Sequence, residues 1–252
     1  MSTLVLRFAA PIQSWGIVHR YPWRGTSREP TKSAVVGMLA AALGRSRSQP
    51  IDDLTDIEFG VRIDQPGKLI RDYQTAKTVD GKIAFISYRD YLSDAVFVVG
   101  IQDDNEKLLE YEQALRNPYY PLFLGRRSCP PTQPFFLGIR AGVSLIQALK
   151  DEPWQASEFH RRQLQHSEQT SIEIVVDTSY GTRNSYIQRD NPLSFDQTYR
   201  RYASRSVIKH LAAAVVELSE ETNGLAKENA EATTESTLLY ATDHDAIIEL
   251  GG

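Results

Sequence analysis

The sequence predicts an α+β fold of the β-α-β-β-α-β kind, with a long hairpin set into it and a small C-terminal β region after it. Three observations carry this. Apolar residues alternate with a period of two in 3–8 and 57–63, and run unbroken from Ala95 to Ile101. They recur at helical spacing in 31–43 and 106–116. Between the second and third strands, Asp80-Gly81 divides two extended polar stretches, as a tight hairpin requires. With the hairpin counted as an excursion, the order is the ferredoxin-like one.

Leu4, Leu6 and Phe8 face one way and Thr3, Val5 and Arg7 the other, which makes a strand. Residues 9–29 form a long connection for a compact domain, and long loops tend to be functional or disordered. Trp15, Tyr21 and Trp23 argue against disorder, and Arg20, Arg24 and Arg28 are interleaved with them. Rings stack on bases and cations hold phosphates, so such a loop suits single-stranded nucleic acid. The plainer alternative is that Trp15 or Trp23 pins the loop to the core.

Thr31 is an N-cap for a helix whose buried stripe is Val35, Met38, Leu39, Ala42 and Leu43, and Gly44 stops it. Lys32 and Ser33 lie in its first turn, where the helix dipole prefers negative charge. A lysine there is unfavourable unless an anion binds, so both residues are candidate phosphate contacts. Ile57, Phe59, Val61 and Ile63 mark the second strand, and Gln65-Pro66-Gly67 a turn. The hairpin arms, 69–77 and 82–88, carry Arg71, Tyr73, Lys77, Lys82 and Tyr88, with Arg89 next. Their low apolar density predicts that they protrude.

Residues 95–101 are expected to be a strand buried on both faces, and 106–116 a helix with Leu108, Tyr111 and Leu115 inward. Asn117-Pro118 ends that helix. The stretch 121–140, PLFLGRRSCPPTQPFFLGIR, is expected to hold two short strands around a bend at Gly125. Arg126 and Arg127 place two permanent charges on the bend, and guanidinium forks match phosphate oxygens. Ser128 adds a hydroxyl, and Cys129 reads as a small buried apolar residue.

After Ala141 a short helix is expected near 143–149, a strand at 172–176, a turn or hairpin at 180–189, a basic stretch at 199–210 and a helix at 211–218. Residues 219–236 are acidic, nearly free of large apolar side chains, and read as disordered or loosely attached. The expected plan is a ferredoxin-like domain over 1–145 with its hairpin at 68–91, a small β region over 146–210, and an acidic tail over 211–252. RNA-binding domains of the RRM type share that scaffold, although a fold alone gives no function.

A net charge of −4 does not mark the whole chain as a nucleic-acid binder. Residues 7–47, however, hold seven Arg or Lys against Glu29 alone, and local charge sets the electrostatic footprint. One cysteine excludes an internal disulfide and a Cys-based zinc site, and fits a reducing cytoplasm. No run approaches the roughly 18 apolar residues of a membrane span. No basic region precedes the first apolar run, so no secretory signal is expected. Neither HExxH nor GxxxxGK[ST] occurs, and no metal or cofactor is expected.

Several stretches resemble one family: SWG at 14–16, REPTKSAVVGMLAAALG at 28–44, DYQT at 72–75, YRDYLSDAVFVVGI at 88–101, LGRRSCPPTQPFFLG at 124–138, RDNP at 189–192 and RRYASR at 200–205. Together they resemble the Cas5 subunit of type I-E CRISPR Cascade over roughly residues 3–210, and the tail beyond about 215 lies outside the resemblance. The resemblance implies a ferredoxin-like RAMP domain that binds the 5′ handle of the CRISPR RNA. It implies a Cas7 backbone subunit and the large subunit Cas8e (Cse1) as neighbours, and no membrane. It makes the Lys68–Tyr91 hairpin a thumb that kinks the RNA. With the charge pattern, it nominates Arg20, Arg24, Arg28, Lys32, Ser33, Lys77, Arg89, Gly125, Arg126, Arg127 and Ser128 as RNA contacts, with no catalytic residue.

The alternative is a metal-independent endoribonuclease, as in type I-C Cas5. Cleavage needs a base, an acid and cations for the developing charge, and His19, Tyr91 and Lys77 are the candidates. The type I-C relatives imply an adjacent Lys–His pair. Here the adjacent pair is Lys209-His210, beyond the first domain, which counts against cleavage.

Overall fold

The chain enters the main sheet at its interior. The first strand, β1 (Ser2–Ala9), is followed by the short strands β2 (Ile12–Gln13), β3 (His19–Arg20) and β4 (Trp23–Arg24), then helices α1 (Lys32–Ala42) and α2 (Asp52–Thr55). Next come β5 (Glu58–Gln65), the hairpin β6 (Lys68–Lys77) and β7 (Ala84–Ser93), β8 (Val96–Asp103), α3 (Asn105–Arg116) and β9 (Phe136–Arg140). Helices α4 (Leu145–Asp151) and α5 (Glu158–Leu164) precede β10 (Ser171–Thr178), β11 (Tyr186–Ser194) and β12 (Arg201–Ala213). The computed structural model describes residues 1–16, 19–20, 22–164 and 171–213, with the side chains of 19 and 20 excepted. The acidic tail expected beyond the last strand lies outside them.

A seven-stranded sheet runs β11-β12-β10-β5-β8-β1-β9, with every neighbour antiparallel. Helices α1 and α3 cover one face: Val35, Leu39, Leu108 and Tyr111 pack with Leu4, Leu6, Phe8, Phe97 and Val99. The other face is covered too. Leu145, Ala148 and Leu149 of α4 pack on Val5, Val98 and Ile174. This explains why Val5, on the mixed side of the β1 alternation, is fully buried. The helix comes close because the sheet carries glycine beneath it: a β-carbon on Gly100 would lie 2.6 Å from Leu145.

Local signals account for the helix ends. The Thr31 hydroxyl accepts from the Ala34 amide at 3.3 Å, and Gly44 closes α1 with φ +76°. Asp104 stands at the N-cap of α3, and Leu108, Tyr111 and Leu115 point inward as the spacing predicted.

Three expectations need correction. The strands of 146–210 form no separate sheet: β10 pairs with β5, so β10, β12 and β11 extend the main sheet from its β5 edge. Residues 121–134 hold no strand, and the only strand of that stretch is β9. Prolines at 121, 130, 131 and 134 offer no N–H to a ladder, and the segment closes on itself through Leu124 N–H to Cys129 O at 2.7 Å. Residues 211–213, expected to start a helix, belong to β12. Among the described residues no helix is long and apolar enough to cross a membrane.

Candidate nucleic-acid interface

The 10–31 connection is fixed from below. Trp15 is fully buried, stacked on Phe8 with centroids 5.7 Å apart and edge-on to Phe97 at 6.5 Å. The Ser14 amide donates to Leu124 O at 3.2 Å and its hydroxyl to Asp90 O at 3.0 Å, and the Ser27 amide donates to Trp15 O at 2.6 Å. The pinning role considered for a tryptophan therefore falls to Trp15. Trp23 is left on the surface beside the hairpin.

Three segments meet here: β4, the root of β7 and the Gly125 bend. Gly125 has φ +85°, and a β-carbon on it would sit 1.6 Å from Ser14 O, so the bend can pass over Ser14 only as glycine. The Cys129 amide donates to Arg126 O at 2.9 Å and closes the turn. Burial of Cys129 raises its thiol pKa, which keeps it inert.

Arg126 lies over the Tyr91 ring at 4.5 Å and donates from Nη2 to Arg24 O at 2.9 Å. Arg89 is two residues before Tyr91 on β7, hence on the same face, and Arg24 of β4 is in register with Arg89. Arg24, Arg89 and Arg126 therefore share one face at the hairpin root. Two of their donors, Arg89 Nε and Arg126 Nη1, are buried without an acceptor among the described residues. Arg127 and Ser128 stand exposed beside them, and Arg127 has no carboxylate partner among the described residues.

Other nominated residues lie elsewhere. Lys77 pairs with Ala84, five residues up the hairpin from Arg89, or about 17 Å at strand rise. Arg28 is exposed in the loop before α1. Arg20 lies on β3, with its side chain outside the described residues.

Lys32 is a correction. It is 6% exposed, and its ammonium donates to Ile57 O at 2.8 Å and pairs with Asp177 at 3.3 Å. The anion that the helix start called for is internal: Asp190 Oδ2 accepts from the Lys32 amide at 2.9 Å. The Ser33 hydroxyl, half-buried, lies 3.2 Å from that of Thr31. Arg205 completes the network. It holds Asp190 at 2.6 and 3.0 Å, Gln188 at 2.7 Å and also Asp177. Burial works against its charge, but Asp190 and Asp177 outweigh that and raise its pKa. Asp190 and Arg205 lie inside RDNP and RRYASR, stretches already marked by resemblance, but no periodicity or charge count singled them out.

On the other face of the hairpin root, Asp90 accepts from Trp23 Nε1 at 2.7 Å and from Arg71 Nε at 2.9 Å. Burial pushes its pKa up, and the donors Arg71 and Trp23 more than offset this, so it is lowered overall. A depressed folded-state pKa adds stability above the unfolded value of about 3.9, and this is lost as pH falls through the folded value. Wild-type unfolding midpoints should therefore drop below about pH 4. Asp90→Asn should reduce that drop, and an equal acid dependence in both proteins would contradict the assignment.

Of the nuclease candidates, Tyr91 and Lys77 stand apart. Tyr91 is buried under Arg126, and Lys77 stands seven residues up the hairpin, about 23 Å away. The His19 side chain lies outside the described residues. Lys209 is paired with Glu173 at 2.6 Å.

The family described as CRISPR-associated protein (Cas_Cas5) matches residues 3–208. CRISPR system Cascade subunit CasD of Escherichia coli (strain K12) is 34% identical over 158 residues, spanning 54% of this chain and 70% of that protein. A solved chain described as CRISPR RNA-guided surveillance complex is 28% identical with a TM-score of 0.70, covering 84% of this chain and 90% of that one. Another, described as a Cas protein, is 32% identical with a TM-score of 0.66, covering 86% and 98%. With the family pattern running from β1 into β12, the chain belongs to the Cas5 family of CRISPR-associated proteins.

Proposed function

We propose that this chain is the non-catalytic RNA-binding subunit of a type I-E Cascade, holding the 5′ handle of the CRISPR RNA and joining the Cas7 backbone to Cas8e in the cytoplasm. The observation that carries the reading is the arginine face at the hairpin root. Arg24, Arg89 and Arg126 converge there, and none of the three has a carboxylate partner among the described residues. Guanidinium groups without a counter-ion call for an anion, and phosphate oxygens suit their geometry. The similarity to CasD supports the subtype. The strand order β9-β1-β8-β5, with α1 and α3 on one face, supports a ferredoxin-like RAMP domain, and the projecting β6–β7 hairpin supports the thumb.

Arg127→Ala is the clean test, because that side chain has no structural partner among the described residues. Its unfolding midpoint should match wild type. Its affinity for handle RNA should fall, and the slope of log affinity against log salt should drop by about 0.7, the value for one phosphate contact on a single strand. An unchanged slope would remove Arg127 from the interface. Incubation with CRISPR repeat RNA should yield no product. Specific cutting abolished by His19→Ala would instead establish the endoribonuclease reading.

A further inference from the structure

The β6–β7 ribbon has two faces of different chemistry. Register and alternation put Arg24, Arg89 and Tyr91 on one, beneath Arg126, and Trp23, Arg71, Tyr73, Tyr88 and Asp90 on the other. On this second face Tyr73 and Tyr88 stand directly opposite each other, their rings edge-to-face at 5.7 Å. Trp23 continues the row at 6.1 Å from Tyr88, and the Arg71 guanidinium lies 3.8 Å over the indole. Tyr73, Trp23 and Tyr88 remain 57%, 44% and 37% exposed, although large aromatic groups are strongly drawn to burial.

The row is held in place. Asp90 takes the indole N–H of Trp23 and the Arg71 guanidinium together, which fixes the indole plane. The same contact pairs Arg71 with Asp90, so this cation has its counter-ion within the protein. A phosphate would gain little beside these rings, whereas a flat neutral ring would gain stacking.

We propose that Trp23, Tyr88 and Tyr73 form a stacking surface for unpaired bases of the RNA whose phosphates lie on the arginine face. The proposal rests on the RNA-binding reading above and deepens it. The occupant follows from the pairing of the two faces. One side offers guanidinium groups without a carboxylate partner, and the other offers aromatic rings beside an Arg71 charge that Asp90 already meets. Single-stranded nucleic acid supplies both groups in each repeating unit. Stacking of this kind accepts any base, so the surface would order the strand without reading its sequence.

The sequence provides an optical probe. Of its three tryptophans, Trp15 and Trp154 are buried and Trp23 is exposed, so a ligand that changes the emission reports on Trp23. The full chain would be titrated with a handle-length RNA and with an abasic oligoribonucleotide of the same length. The RNA should quench tryptophan emission and bind roughly tenfold tighter or more than the abasic strand, with equal salt slopes. Tyr73→Ala removes a side chain that makes no hydrogen bond among the described residues, so the fold should be kept. It should cost about tenfold in RNA affinity and nothing in abasic affinity. Equal affinities for the two strands, with Tyr73→Ala silent on both, would overturn base stacking and leave the phosphate reading intact. Failure of both strands to bind would overturn the RNA-binding reading itself. Tyr73→Ala that keeps RNA affinity but weakens association with purified Cascade subunits would assign the face to a protein and overturn the proposal.

Discussion

Gly125→Ala is expected to keep most of the protein from reaching its native state. The added β-carbon would sit 1.6 Å from Ser14 O, and the overlap is with backbone, so no side-chain rotation relieves it. Ser14 cannot withdraw cheaply, because Leu124 holds its amide and Asp90 O its hydroxyl, and Trp15 next to it is buried in the core. The positive φ adds about 1–2 kcal/mol for any residue with a β-carbon. The total should exceed about 4 kcal/mol, a loss that a domain of ordinary stability barely survives. Soluble yield and the midpoint of chemical unfolding measure it. Arg127→Ala, two residues on, should stay within about 0.5 kcal/mol of wild type, so that the pair separates the shape of the bend from its charge. A wild-type midpoint for Gly125→Ala would show that the bend does not pass over Ser14 as described.

Arg205→Ala should cost nearly as much, about 3–5 kcal/mol, for an electrostatic reason. Arg205 is the buried cation between Asp190 and Asp177, and Lys32 supplies only a longer contact to Asp177. Its removal leaves two carboxylates short of counter-charge inside the protein. Because Asp190 also caps the start of α1, the damage spreads to the joint between that helix and β11. Arg205→Lys should recover part of the loss, since the charge is restored but the fork that spans Asp190, Asp177 and Gln188 is not. Urea unfolding of the three proteins tests the order. Arg205→Ala with wild-type stability would mean that the network contributes nothing.

Much of the fold was legible because local chemistry and packing agree. β1, β5 and β8 follow from apolar periodicity, α1 from Thr31 and Gly44, and the hairpin from Asp80-Gly81. What escaped was set by partners distant in sequence. Pairing of β10 with β5 joins residues more than a hundred positions apart, and nothing local in 172–176 announces it. Helix electrostatics calls for an anion beside Lys32 at the start of α1, and one is there. The anion is a carboxylate from residue 190, which only tertiary structure could reveal. Arg126 and Arg127 look equivalent in sequence. In three dimensions one lies against Tyr91 and Arg24, and the other stands free of partners among the described residues. Trp23 and Tyr88 belong to one row because β4 lies alongside β7, a parallel contact that no turn signal encodes.

The interior position of β1 has a consequence for the order of events on the ribosome. Leu4 is paired with Ile101 on one side and Ile139 on the other. At about 5–20 residues per second, β1 waits roughly 5–30 s after its own synthesis before both neighbours exist. Until β8 is made, an apolar strand, LVLRFA, has no native partner for either edge, and from then until β9 is complete one edge stays open. Contacts so remote in sequence also slow the search once the chain is complete. Truncation before β9 would leave β1 with one edge open.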